Sequence, residues 1–84
     1  MKSYYITFRS VTFAQRGERI LKEASVRCSL RRTPRWMEEQ GCGYCLRLRT
    51  DDVQTGAALL RGSRIPFRKI YLQQPEGNVE ELAV

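Results

Sequence analysis

The chain has 84 residues, of which 42% are apolar and 29% are charged, and its formal net charge is +6. This size fits one small domain, and the apolar share argues against intrinsic disorder. The sequence has three cysteines and no histidine, which excludes Cys-His catalytic pairs and histidine-containing zinc sites within one chain.

No segment predicts a secretory signal or a membrane span. The apolar run that follows Ser3 is broken at Arg9, whereas a signal peptide needs an unbroken apolar core and a spanning helix needs about 18 apolar residues. We therefore expect a cytoplasmic protein without a membrane partner. In that reducing compartment, cysteines are more often buried or chemically active than joined in disulfides.

The first thirty residues predict a strand, a helix and a second strand. Residues 3–8 alternate β-prone side chains, which is typical of a strand. Ser10 or Thr12 can cap a helix over about residues 11–24, because apolar residues recur there at helical spacing. Residues 26–30 alternate again and predict the second strand.

A long basic connection, residues 31–40, leads to the third predicted strand at residues 43–49. Strand periodicity directs alternate side chains to opposite faces of the sheet. The inward set is Tyr44, Leu46 and Leu48, and the outward set is Cys45, Arg47 and Arg49.

A second helix, a fourth strand and a tail complete the predicted elements. Asp51 or Asp52 caps the helix, and Gly62 is its expected stop. Residues 67–72 predict the fourth strand. Three of the nine acidic residues lie after Pro75, so we expect residues 1–74 to form one basic domain and residues 75–84 to form a flexible acidic tail.

The element order βαββαβ predicts an α+β fold of the ferredoxin-like type, with a four-stranded antiparallel sheet and both helices on one face. The other face is expected to be open and basic. It is then solvated, paired with a second subunit, or a binding surface. Its members would be Tyr5, Thr7, Arg27, Ser29, Cys45, Arg47, Arg49, Lys69 and Tyr71.

Cys42 lies between Gly41 and Gly43, just before the third strand. Neither neighbour has a Cβ atom to cover the sulfur, so this thiol is sterically open. The cations nearest to it in sequence that could lower its pKa are Arg35, Arg47 and Arg49. The alternative is a structural cysteine at a strand start. Cys28, in the second strand, is expected in the core.

The chain resembles the selenium/sulfur carrier-like proteins, a family of small bacterial domains whose Cys-Gly pair falls on Cys42-Gly43. The resemblance implies a thiol carrier or adaptor rather than a stand-alone enzyme. Cys42 would hold sulfur or selenium as a persulfide or selenopersulfide, and Cys45 would be the resolving thiol. The implied partners are sulfur or selenium donor and acceptor proteins, and no other cofactor is implied. Further matching segments are Tyr4-Tyr5-Ile6-Thr7-Phe8, Ile20-Leu21-Lys22-Glu23-Ala24 and Thr33-Pro34-Arg35.

Two other functional classes remain open. A zinc site needs four ligands, so a metal would require a homodimer that pools its cysteines. A basic nucleic-acid or polyanion-binding module is the main alternative, because RNA-recognition domains share the predicted order. The third strand has the wrong phase for base stacking, since Tyr44 points inward. Tyr5 and Tyr71 on the open face could still bind a single strand.

Overall fold

A computed structural model describes residues 2–34, 43–48 and 53–82, and these ranges contain two helices and five strands. The strands pair antiparallel in one sheet with the order β2-β3-β1-β4-β5. The predicted α+β class is confirmed, whereas the prediction of four strands is wrong. The elements are β1 (Ser3–Phe8), α1 (Val11–Glu23), β2 (Ser29–Arg32), β3 (Tyr44–Leu48), α2 (Val53–Gly62), β4 (Ile70–Gln73) and β5 (Val79–Leu82).

The additional strand, β5, lies in the segment that the sequence assigned to a tail. A turn at Gly77, where φ is +104°, reverses the chain after β4. The Gln74 N–H donates to the Asn78 carbonyl at 2.8 Å and closes this turn. Leu82 then pairs with Ile70 and packs against the core. An edge strand with one covered face needs few apolar residues, which explains why its sequence looked like a tail.

The core lies between one face of the sheet and both helices. At Gly17 of α1, an added Cβ would lie only 3.1 Å from Phe8 and 3.3 Å from Leu46. At Gly56 of α2, the nearest atoms belong to Leu21 and Leu48. Both helices therefore pack on the sheet face that carries the inward residues of β1 and β3. The predicted inward phase of β3 is confirmed by the burial of Leu46 and Leu48.

The first helix begins at the predicted cap and ends with a turn that shifts the second strand. The Phe13 N–H donates to Ser10 Oγ at 3.3 Å. At the other end, Ser25 adopts a left-handed φ of 63°, and the Val26 N–H donates to the Leu21 carbonyl at 2.8 Å. Because this bond uses Val26 to close the helix, β2 begins at Ser29 rather than at residue 26.

The second helix ends in the same way. Gly62 is its last residue rather than its stop, and Arg64 takes the left-handed φ of 58°. The Ile65 N–H donates to the Leu60 carbonyl at 2.9 Å. The predicted caps Asp51 and Asp52 lie outside the described residues. β4 begins at Ile70, three residues later than predicted.

In the part of the chain that the structure describes, no helix is both long and apolar enough to cross a membrane.

Candidate functional site

The candidate site lies where β2 and β3 meet the connection that contains Cys42. The Thr33 N–H donates to the Gly43 carbonyl at 3.0 Å, which extends the pairing of the two strands past Arg32 and Tyr44. The chain therefore leaves and re-enters the sheet at adjacent, hydrogen-bonded positions. Cys42, Arg35 and Arg49 lie outside the described residues, so the structure places Gly43, Cys45 and Arg47 among the predicted site residues.

Cys45 lies on the outer face of β3, as its phase predicts, but its side chain is 0% exposed. It packs with Tyr5 and half-buried Tyr71 in a small cluster on that face. Across the strands it pairs with Thr7 on one side and with Arg31 on the other. Cys45 is therefore closed to an external reagent in this conformation.

The surroundings of Cys45 also disfavour its thiolate. Burial raises the pKa of Cys45 above the ordinary value, while hydrogen bonding from Thr33 and the charge of Arg31 act in the opposite direction. The Thr33 contact has poor geometry, because Thr33 Oγ1 is buried without a well-formed hydrogen bond among the described residues. Burial is thus the dominant effect, and at neutral pH this thiol is a weak nucleophile.

Cys28 is also a poor nucleophile, for a similar reason. The sequence predicted it as a core residue of the second strand, whereas it lies just before β2 and is only partly buried, packing against the core. Burial raises its pKa, the charge of Glu18 adds to the rise, and Lys22 opposes it. Its thiol has one weak contact, 4.0 Å from the Glu18 carbonyl oxygen. Both described thiols are therefore held mainly in the protonated form.

The Arg47 side chain points towards the start of β1, away from the end of β3 that follows Cys42 in sequence. Its Nη2 donates to Ser3 Oγ at 3.2 Å, whereas Tyr44, next to Gly43, pairs with the other end of β1. Gly43 and Arg47 are four positions apart along the chain, which in a strand puts their backbones about 13 Å apart. Arg47 Nε is buried and has no hydrogen-bond partner among the described residues.

Two other cations flank Gly43 more closely, and the sequence analysis missed them. Arg31 and Arg32 are exposed residues of β2 that pair with Cys45 and Tyr44. The pairing of an antiparallel hairpin could have identified them. In such a hairpin, the last residues before the connection lie opposite the first residues after it. Because the predicted second strand ended at residue 30, Arg31 and Arg32 were assigned to the connection and not to the strand that pairs with β3.

The outer face of the sheet differs from the open basic surface that was expected. Tyr5 is only 9% exposed, and its hydroxyl donates to Gln73 Oε1 at 3.2 Å. Thr7 is 3% exposed and bonded to Lys69. A base cannot stack on a ring that is already covered, so the centre of this face does not offer the platform of an RNA-recognition domain.

The structure also bears on metal binding. Within residues 2–34, 43–48 and 53–82, no group of three or more Cys, Asp or Glu side chains lies close enough together to hold a metal ion.

Comparison with known protein families finds a match that covers most of the chain. The model of the family described as "Putative Se/S carrier protein-like" matches residues 3–72. This range is well over half of the 84 residues and includes the Cys42-Gly43 pair. Comparison with curated proteins and with solved structures finds no match. Among the described elements, residues 3–72 contain α1, α2, β1, β2, β3 and all but the last residue of β4. The chain belongs to this Se/S carrier-like family.

Proposed function

We propose that the chain is a sulfur or selenium carrier and that Cys42 is the atom-bearing thiol. The observation that supports this assignment is the contrast among the three cysteines. The pKa values of Cys28 and Cys45 are raised by burial, so both are poorly suited to accept a transferred atom. Cys42 lies within the residues that the family model matches, belongs to the Cys-Gly pair on which the resemblance to the family rests, and has glycine on both sides.

The fold provides a suitable base for such a thiol. We infer a ferredoxin-like arrangement, supported by the strand order β2-β3-β1-β4 and by two helices that pack on one face. In this arrangement the β2–β3 end is fixed by the Thr33–Gly43 hydrogen bond. A thiol next to a fixed backbone position can be presented to a donor protein and then to an acceptor protein.

The proposed chemistry is a pair of exchanges with no net redox change. The Cys42 thiolate attacks the outer sulfur or selenium of a donor persulfide or selenopersulfide, the donor's bond to that atom breaks, and the donor thiolate leaves. An acceptor nucleophile then takes the outer atom and returns Cys42 as a thiolate. The exposed guanidinium groups of Arg31 and Arg32 would stabilise negative charge near this end of the sheet. The protein acts as a carrier in a reducing compartment such as the cytoplasm.

Cys45 is the proposed resolving thiol. Its thiolate would attack Cys42 Sγ, form a disulfide and release hydrosulfide or hydroselenide. Burial and a raised pKa make this step slow until the cluster with Tyr5 and Tyr71 opens. A slow resolving step would protect the bound atom during transfer.

The test is sulfur loading of the full chain by a small persulfide, such as glutathione persulfide, followed by intact mass spectrometry. We expect Cys28→Ala/Cys45→Ala to gain one sulfur atom and Cys42→Ala to gain none. Equal gain by Cys42→Ala contradicts the assignment. For the resolving role, Cys45→Ala should prolong the lifetime of the loaded form, and an unchanged lifetime contradicts that role.

A further inference from the structure

A basic groove lies beside the β4–β5 edge of the sheet, on the opposite side of β1 from β2 and β3. It has a volume of about 740 Å³ and runs between the end of α2 and the edge strand β5. We define the basic groove by six of its lining residues. These are Arg61, Arg64, Phe67, Arg68, Lys69 and Glu81.

The backbone of the basic groove is fixed at both ends. On one side, Ile65 is buried and bonded to the end of α2. On the other side, Thr7 of β1 binds the segment that follows. The Arg68 N–H donates to the Thr7 carbonyl at 2.7 Å, and the Thr7 N–H donates to the Lys69 carbonyl at 2.9 Å. The groove is thus a formed feature of the fold.

The groove has an excess of positive charge. Lys69 forms an ion pair with Glu81 at 3.4 Å. Arg61 and Arg64 are exposed, and neither has a carboxylate partner among the described residues. These two guanidinium groups can bind phosphate oxygens with paired N–H donors.

The groove also has a flat surface of the kind that stacks on bases. The Arg61 guanidinium lies over the Phe67 ring, 5.5 Å from its centroid. Phe67 is partly exposed, and the exposed Pro66 stands beside it. Planar arginine and aromatic groups are the surfaces on which unpaired bases stack.

Two smaller depressions continue the charge on either side. One shares Arg64 with the groove and adds Arg16 and Arg19 from α1. The other shares Phe67 and adds Arg9. Cations therefore follow one another along this edge, which fits an extended chain of phosphates better than a single phosphate group.

We propose that the basic groove binds single-stranded nucleic acid, with arginines on the phosphates and the Arg61–Phe67 pair under a base. An acidic peptide has charge but no flat bases, so it would leave the Phe67 surface without a partner. Neither Cys28 nor Cys45 is among the described residues that line the groove, and the proposal does not rest on the carrier chemistry.

The test is fluorescence anisotropy of the full chain with a labelled oligouridine over a series of salt concentrations. We expect Arg61→Gln/Arg64→Gln to weaken binding and to reduce the slope of log affinity against log salt by about 0.7, from the phosphate contact of Arg64. The control Lys2→Gln/Arg27→Gln makes the same charge change with two exposed cations that are not among the residues lining the groove. Equal effects of both pairs, or no binding at low salt, overturn the proposal.

Two single variants separate binding from folding and from charge alone. Arg64→Gly suits the left-handed backbone at that position, so it should keep or raise the melting temperature and still weaken binding. Phe67→Leu should weaken oligouridine binding several-fold and leave the salt slope unchanged. If Phe67→Leu binds normally and polyglutamate displaces the oligouridine equally well, the groove is a site for acidic proteins and the nucleic-acid assignment is wrong. Cys42→Ala should bind normally, which keeps this test separate from the carrier proposal.

Discussion

Substitution of Gly17 by alanine tests the packing between α1 and the sheet. The new Cβ would lie 3.1 Å from Phe8 Cζ, 3.2 Å from Leu60 Cδ2 and 3.3 Å from Leu46 Cδ1. All three side chains are 0% exposed, so none can move into solvent. Overpacking of this kind costs about 1–3 kcal/mol, while alanine gains about 1 kcal/mol over glycine in a helix. We expect Gly17→Ala to lower the free energy of unfolding by up to about 2 kcal/mol.

Gly56→Ala is the matched control in α2. Its Cβ would meet Leu21 at 3.4 Å and Leu48 at 3.7 Å, which are ordinary contact distances. The stability that alanine gains over glycine from its higher helix propensity should therefore remain. We expect the free energy of unfolding to rise by up to about 1 kcal/mol. Urea unfolding followed by far-ultraviolet circular dichroism measures both variants. If Gly17→Ala gains as much stability as Gly56→Ala, the result contradicts the close packing of α1 on the sheet at Gly17.

Three further predictions concern a helix cap, the edge strand and the buried thiols. Ser10→Ala removes the acceptor of the Phe13 N–H and should cost about 1 kcal/mol, whereas Ser10→Asp should keep most of the stability; equal losses contradict the cap. Leu82→Ala should cost about 1 kcal/mol and speed amide exchange in β4, and unchanged exchange contradicts the packing of β5. Because the pKa values of Cys28 and Cys45 are raised in the folded state, unfolded thiols ionise first as pH rises, so stability should fall above about pH 9. Cys28→Ala/Cys45→Ala should reduce this fall, and an identical pH profile refutes it.

The sequence predicts those parts of the fold that depend on local periodicity. The phase of β3 follows from alternation alone, because Tyr44, Leu46 and Leu48 share one face. The start of α1 follows from the cap at Ser10. The predicted boundaries of helices and strands were less accurate where a backbone hydrogen bond sets the boundary. The Val26 N–H, for example, bonds to the Leu21 carbonyl and closes α1, so Val26 does not belong to β2.

Features that arise from contacts between distant segments could not be read in this way. Cys45 is buried by Tyr5 and Tyr71, which come from β1 and β4. The strand β5 has two central glutamates and forms because β4 offers it an edge. The position of Arg47 depends on Ser3, 44 residues earlier in the chain. Cys42, by contrast, is identified as the candidate thiol from the sequence, by its Cys-Gly pair and its two neighbouring glycines.

The most direct test of the carrier account is a complete transfer of isotopically labelled sulfur. The chain would be loaded from a labelled persulfide, separated from the donor, mapped by peptide mass spectrometry and then mixed with an acceptor thiol. The account predicts that fragmentation of the peptide that contains both Cys42 and Cys45 places the label on Cys42, and that the label then leaves with the acceptor. Label on the Cys28 or Cys45 residues, or label on Cys42 that no thiol can remove, would contradict it.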